Sequence, residues 1–372
     1  MQLTTVVKLH TSQEEHAALV QTMRSCNAAC DRISKTAFDT GTFRQYDLHK
    51  ALYYPVRAET GLAAGHIVCT IAKVADAYKL DCKTLRTFNP LGGIELNKDT
   101  LSWRVEEQTV SLNTVSGRLK LRFVCSAEQK EHLLGKKGQS DLLLRDGQFY
   151  LSVAVTVAEA ETFTPEGVLG VDLGIVNIAT DSEGNRHTGE LVKKVRQRYR
   201  NFRQEAQAKK TRSARKRLAK KRRKESRFVR DVNHCVSKSL VKLALDRKKA
   251  LAIEVLAGIR ERGNRLNRSM RRELNNWSFA QLKCFLAYKC RREGVPLIEV
   301  DARYSSQQCS RCAHTERANR PSQEVFRCCH CCFEANADVN AALVLEARVT
   351  LSTGPRFYLE ARANRGGQAV CL

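Results

Sequence analysis

Three carboxylates sit in stretches that otherwise read as hydrophobic core, and their placement restricts the fold more than any other feature. Asp172 lies within Gly167-Val-Leu-Gly-Val-Asp-Leu-Gly174, Glu254 ends Ala250-Leu-Ala-Ile-Glu254, and Asp338 opens Asn336-Ala-Asp-Val-Asn-Ala-Ala342. A carboxylate flanked by core residues is costly unless it is paired or holds a metal. Each alone has an ordinary reading: a turn residue, a partner for one of many arginines, and a helix N-terminal acid that complements the dipole. Together, two strand ends and a helix start can bring three acids to one place. Divalent cations relieve the repulsion there. Mg²⁺ takes hard oxygen ligands, and two ions about 4 Å apart can hydrolyse a phosphodiester.

The charge points to the same class of substrate. Lys plus Arg number 64 against 39 Asp plus Glu, a formal net charge of +25, which favours a polyanionic partner. Residues 193–230 hold 19 Lys or Arg against two Glu and read as a basic helical block. Within it Arg215, Lys216, Lys220, Lys221, Arg222 and Arg223 are candidate phosphate contacts. No apolar run of about 18 residues is present, so no membrane span is expected, and the start lacks a secretory layout. Cysteine usage fits a reducing cytoplasm.

Texture divides the chain. Residues 12–83 carry helical periodicity: Ser12 to Glu15 forms a capping box, and Leu19, Met23, Cys26, Cys30, Ile33 and Ala37 recur at helical spacing. A second helix is expected to end near Pro55, and a third carries Ile67, Ile71, Val74 and Tyr78. Residues 90–157 alternate as strands, with a hairpin over Leu142–Leu151 turning at Asp146-Gly147. Residues 3–9 supply a first strand, which makes the helices an insertion in a small barrel or sheet. From residue 166 the pattern is mixed α/β. Val168–Thr180 and Ala250–Leu256 read as strands, Asn275–Glu293 as a helix, Val295–Val300 as a strand and Ala337–Arg348 as a helix. Residues 349–372 read as a loose tail. Gly258 and Gly263 within 258–268 suggest a mobile basic lid.

Of 15 cysteines, six fall between Cys309 and Cys332. Cys309-x2-Cys312, fifteen residues, then Cys328-x2-Cys331 has the spacing of a structural zinc ribbon. Cys329 and Cys332 form an equally good pair one residue later, and His314 and His330 are spare ligands. Spacing leaves the register open.

The series Gly170-Val-Asp-Leu-Gly-Ile-Val-Asn177, Ile253-Glu254, Trp277 to Leu282, Tyr304 to Cys309, the ribbon, and Asn336 to Ala342 resembles the TnpB family of transposon-associated RNA-guided DNA endonucleases, relatives of the type V CRISPR effectors. The match is dense over residues 165–345. The resemblance implies an α/β chain with a β-barrel: an RNase H-like RuvC nuclease domain (166–308 and 333–348) interrupted by a zinc ribbon (309–332). It implies a wedge barrel (1–10 and 86–165), a helical recognition domain (11–85) and a C-terminal tail (349–372). Asp172, Glu254 and Asp338 take the catalytic positions, with two Mg²⁺ ions, or Mn²⁺ in their place, and structural Zn²⁺. Tyr53, Tyr54, Thr70 and Lys73 take positions facing a short DNA motif beside the target. The partners implied are a guide RNA from the transposon end and double-stranded DNA, in a prokaryotic cytoplasm; monomer and dimer are both open. The competing readings are a nuclease-silent RNA-guided repressor and a guide-free transposase or resolvase. Ala313 and Cys332 stand where family ribbons carry glycine. There a positive φ costs little for glycine and more for other residues.

Overall fold

The structure, a computed structural model, describes residues 1–135, 137–221, 223–255, 271 and 277–352. It divides into two compact units, Met1–Ala158 and Glu159–Leu372. Arg222, the 258–268 segment expected to form a lid, and residues 353–372 lie outside the described residues.

In the first unit, β1 (Gln2–His10) sits inside a seven-stranded antiparallel sheet, paired with β7 (Gln148–Thr156) on one side and β5 (Gly117–Val124) on the other. Helices α1 (Gln13–Thr40), α2 (Gln45–Thr60) and α3 (Ala64–Leu80) are inserted directly after β1. The expected capping box at Ser12 and Glu15 is formed in both directions. The hairpin between β6 (Lys137–Arg145) and β7 turns at Asp146 and Gly147, both at positive φ, as a two-residue type I′ turn requires.

Two expectations fail here. The second helix does not stop near Pro55 but runs on to Thr60. Pro55 deprives only the carbonyl of exposed Ala51 of its helical partner, which water can replace. Leu48, Leu52 and Val56 meanwhile bury one continuous face across the proline. The region read as strands also contains a helix, α4 (Ala127–Leu134), started by a reciprocal Ser126/Gln129 capping box.

The second unit is built on a five-stranded sheet. In spatial order it runs β10 (Arg186–Thr188), β9 (Asn177–Asp181), β8 (Gly167–Asp172), β11 (Lys249–Val255) and β12 (Leu297–Asp301). Strands β8, β11 and β12 are mutually parallel; β9 and β10 are antiparallel additions. The stretch expected as one strand over 168–180 therefore folds back on itself. The reversal passes Gly174, where a Cβ would lie 2.7 Å from the Asn177 carbonyl oxygen. The basic block forms α5 (Glu190–Ala208), α6 (Arg212–Lys221) and the start of α7 (Lys224–Asp246). Helix α8 spans Phe279–Glu293 and is closed by Gly294 in the left-handed region. Helix α9 runs from Ala337 to Ser352, past the expected end at Arg348. Val349 is buried against Val168, Ala250 and Ala252, and that packing carries the helix on.

Strand alternation separates the two faces of this sheet. Leu169, Val171, Leu251 and Ile253 pack with Leu240 of α7 and Leu286 of α8. Gly170 points the other way, at α9, where an added Cβ would come 2.0 Å from the Ala342 carbonyl oxygen and 2.8 Å from the Glu346 nitrogen. Only glycine lets the helix backbone rest on the strand. Gly170→Ala is therefore expected to destabilise the second unit by more than about 3 kcal/mol, read as a lowered thermal midpoint or loss of soluble protein.

Candidate functional site

The strand register brings two of the three carboxylates together. Ile253 pairs with Val171 across parallel strands, so the next residues, Glu254 and Asp172, lie level at the carboxyl ends of neighbouring strands. Neighbouring strands are about 4.8 Å apart. Both belong to the face that carries Gly170 and receives α9. Asp338 stands in the first turn of α9, which the close Gly170 contact holds against β8. Glu254 is 8 % exposed.

The electrostatics record this crowding. Burial pushes the Asp172 carboxyl up to about 7, the negative charge of Asp338 adds to the rise, and the Arg320 guanidinium opposes it. Asp338 itself is held from both sides: Asn177 Nδ2 donates to Oδ2 at 2.8 Å and an Arg320 terminal nitrogen donates to Oδ1 at 3.3 Å. Neither Asn177 nor Arg320 had a role in the sequence reading. Asn177 ends the quoted Gly170–Asn177 motif, so a signal existed. Arg320 is one of 64 cationic residues, and nothing in the chain singles it out. The three carboxylates do not offer oxygens all within 4.8 Å of one another; among the described residues only a group of four cysteines meets that closeness. The charge of Asp338 still raises the proton affinity of Asp172, and Arg320 offsets only part of that.

The four cysteines are Cys309, Cys312, Cys328 and Cys331. Cys309 Sγ lies 3.7 Å from Cys331 Sγ, and Cys312 Sγ 3.6 Å from Cys328 Sγ. Tetrahedral zinc with bonds of about 2.3 Å requires sulfurs about 3.8 Å apart, so the donor set fits zinc. Of the two registers left open by spacing, this one is gathered; Cys329 and Cys332 are exposed. Ala313 and Cys332 adopt φ of 60° and 56°, the left-handed backbone that glycine takes easily. Their amides close the knuckles on the Cys309 and Cys328 carbonyls at 2.9 and 3.1 Å. His314 and His330 stack on each other instead of joining the cluster, and His314 bonds Glu316.

The ribbon is fastened to the helix that carries Asp338. Its hairpin, β13 (Val325–Arg327) with β14 (Glu334–Asn336), leads straight into α9. Asn336 Oδ1 accepts from the Asp338 and Val339 amides and so caps the helix. Asn340 bridges the Ser310 amide and the Gln308 carbonyl, and Ala337 is buried with Cys309, Cys328 and Phe326. Arg320 also belongs to this insertion.

The candidate nucleic-acid contacts are placed unevenly. Arg215, Lys216, Lys220, Lys221 and Arg223 are exposed on and just beyond α6. On α2, Tyr54 is 76 % exposed, while Tyr53 is half-buried between His49 and Tyr54. Thr70 is corrected: it is 4 % exposed and its hydroxyl donates to the Ile67 carbonyl, so it does not face outward. Lys73 is engaged, donating to Asn27 Oδ1 and the Gly93 carbonyl at 2.8 and 2.7 Å.

Two outcomes test the site. Cys331→Ser should lower zinc content, measured by atomic emission, whereas Cys332→Ser should leave it unchanged. Asp172→Asn should raise the thermal midpoint at pH 8 in magnesium-free buffer, and much less at pH 5. The sign follows from linkage. A carboxyl whose folded pKa is raised to about 7 is stable as the acid below the unfolded value near 4. Its ionisation costs stability progressively as pH climbs through that window. The amide removes the cost only where Asp172 is charged.

Two family models match the chain: the "probable transposase" model over residues 151–256 and the "Cas12f1-like, TNB domain" model over residues 279–345. The chain is 35% identical over 120 residues to the CRISPR-associated endodeoxyribonuclease Cas12f1 of Sulfoacidibacillus thermotolerans; the aligned part is 32% of this chain and 27% of that protein. It is 29% identical over 196 residues to the TnpB-like protein MJ0751 of Methanocaldococcus jannaschii, covering 48% of this chain and 68% of the relative. Among solved structures, a Cas12f1 in complex with single-guide RNA and target DNA superposes with a TM-score of 0.56 at 14% identity, covering 90% of this chain and 83% of the other. That likeness is one of fold. One model lies before the four-cysteine segment and the other spans it, and the relatives are named on the TnpB and the Cas12f sides, so the chain is similar to both groups.

Proposed function

We propose that the protein is a transposon-encoded, RNA-guided DNA endonuclease that cleaves guide-matched double-stranded DNA beside a short adjacent motif. The observation that supports this most is the level placement of Asp172 and Glu254 at neighbouring strand ends, with the charge of Asp338 acting on Asp172. The third acid rides on a helix clamped by the four-cysteine ribbon. In this reading the second unit is an RNase H-like RuvC nuclease. The seven-stranded sheet with its helical insertion is the wedge and recognition part.

Asp172, Glu254 and Asp338 would hold two divalent cations, Mg²⁺ or Mn²⁺. Such ions, when bound, would supply activation of a water and stabilisation of the leaving oxygen of the phosphodiester. The chain's own residues set the conditions. The strand ends fix Asp172 and Glu254, so neither is free to turn away. Asn177 and Arg320 keep both oxygens of Asp338 oriented, and the charge of Arg320 favours the ionised form of Asp172. The four cysteines would hold zinc without an open coordination position, so the ribbon's part is to position Asp338. Guide pairing carries sequence recognition while the protein grips backbones. The exposed cations of α6 suit that grip, and the exposed Tyr54 of α2 suits contact with the motif beside the target.

The test is cleavage of a plasmid carrying a guide-matched site, with Mg²⁺ and the RNA that copurifies with the protein. Asp172→Ala, Glu254→Ala and Asp338→Ala should each reduce cutting by at least about 10³-fold while binding of the matched DNA is retained in a gel-shift assay. Wild-type protein that binds the matched site without cutting it would make the protein a repressor. Cutting with no RNA present would make it a guide-free enzyme.

A further inference from the structure

A cavity of about 640 Å³ opens between α5, α6 and the start of α7, lined in part by Arg196, Tyr199, Phe202, Arg203, Lys221 and Glu225. Its volume is that of a small-molecule site. Its cations outnumber its single carboxylate, and Glu225 is taken by Arg203 at 2.6 Å. Phe202 is covered by Lys221, whose Nζ lies 4.0 Å from the ring centroid. Two lining groups are unspent. Arg196 and Tyr199 are three residues apart on α5 and so share a side of the helix. Arg196 is half-buried and makes no hydrogen bond or close ion pair among the described residues. Burial pulls its guanidinium below the ordinary arginine value, with the charge of Glu225 opposing. Tyr199 is likewise half-buried, with no hydrogen bond on its hydroxyl and no ring contact among the described residues.

We propose that this cavity binds one unstacked nucleotide of a bound single-stranded RNA, with a phosphate on Arg196 and the base against the Tyr199 ring. A guanidinium presents parallel N–H donors that match phosphate oxygens. An aromatic ring takes the face of any base. A duplex keeps its bases stacked inside and offers Tyr199 nothing. An acidic peptide would satisfy Arg196 and leave the ring unused. A nucleotide uses both, and Lys221 adds a further cation for the chain entering and leaving. RNA as the polymer rests on the functional reading above.

The full-length chain is titrated with a labelled single-stranded RNA of about 12 nucleotides over a range of salt concentrations. Tyr199→Ala should weaken binding about tenfold with the salt slope unchanged, because stacking releases no counterion. Tyr199→Phe should bind like wild type, because the hydroxyl is unused. Arg196→Ala should weaken binding and reduce the slope by about one, and Arg196→Lys should restore the slope. Ultraviolet cross-linking with mass spectrometry should place a nucleotide on the peptide containing Tyr199. RNA that binds normally to Tyr199→Ala and cross-links elsewhere overturns the pocket and leaves the RNA-guided reading standing. Wild-type protein that binds no RNA overturns that reading, and the pocket with it. Adenosine monophosphate that displaces the RNA nucleotide for nucleotide would make the occupant a free mononucleotide, and would also overturn the proposal.

Discussion

The repulsion between Asp172 and Asp338 is the constraint around which the second unit is arranged. Burial pushes Asp172 up to about 7, and the neighbouring Asp338 carboxylate adds to the rise, because two acids in a partly enclosed place raise each other's affinity for protons. A fold assembled only for stability would separate them or replace one. This fold brings them together by backbone means that leave little freedom: a parallel register for Asp172 and Glu254, and a helix laid on a glycine for Asp338. The repulsion is then moderated from outside the sheet by Arg320 and Asn177.

The cysteine ribbon acquires its purpose from the same constraint. Helix α9 lies along the sheet through Ala342 and Val349, and that packing alone would let its first turn fray. The ribbon prevents this with the Asn336 cap, the Asn340 bridge and the burial of Ala337 among the cysteines. It also delivers Arg320 to Asp338. An insertion that is separate along the chain is, in three dimensions, the mount for the third carboxylate.

Much of this was legible beforehand because it depends on local order in the chain. The buried positions of α1, the hairpin at Asp146-Gly147 and the apolar frames around Asp172 and Glu254 follow from periodicity and turn chemistry, which operate over a few residues. Other features were misread wherever a distant partner decides. Pro55 ends a helix in isolation, but here the buried face of Leu48, Leu52 and Val56 overrides it. Thr70 occupies a suggestive position in the chain, yet its side of α3 is turned inward. The reversal at Gly174 was hidden because the apolar residues before and after it read as one strand.

The sequence by itself determined the candidates for chemistry: three acids in apolar frames, two C-x2-C pairs and a basic helical block, each set by residue type and spacing. Only the tertiary structure decided which of the overlapping cysteine pairs gather, that Arg320 and Asn177 hold Asp338, and that Arg196 and Tyr199 share a cavity. Those choices rest on contacts between segments far apart in the chain. A contact of that kind leaves no periodicity behind, because its energy arises only once strand, helix and ribbon are packed.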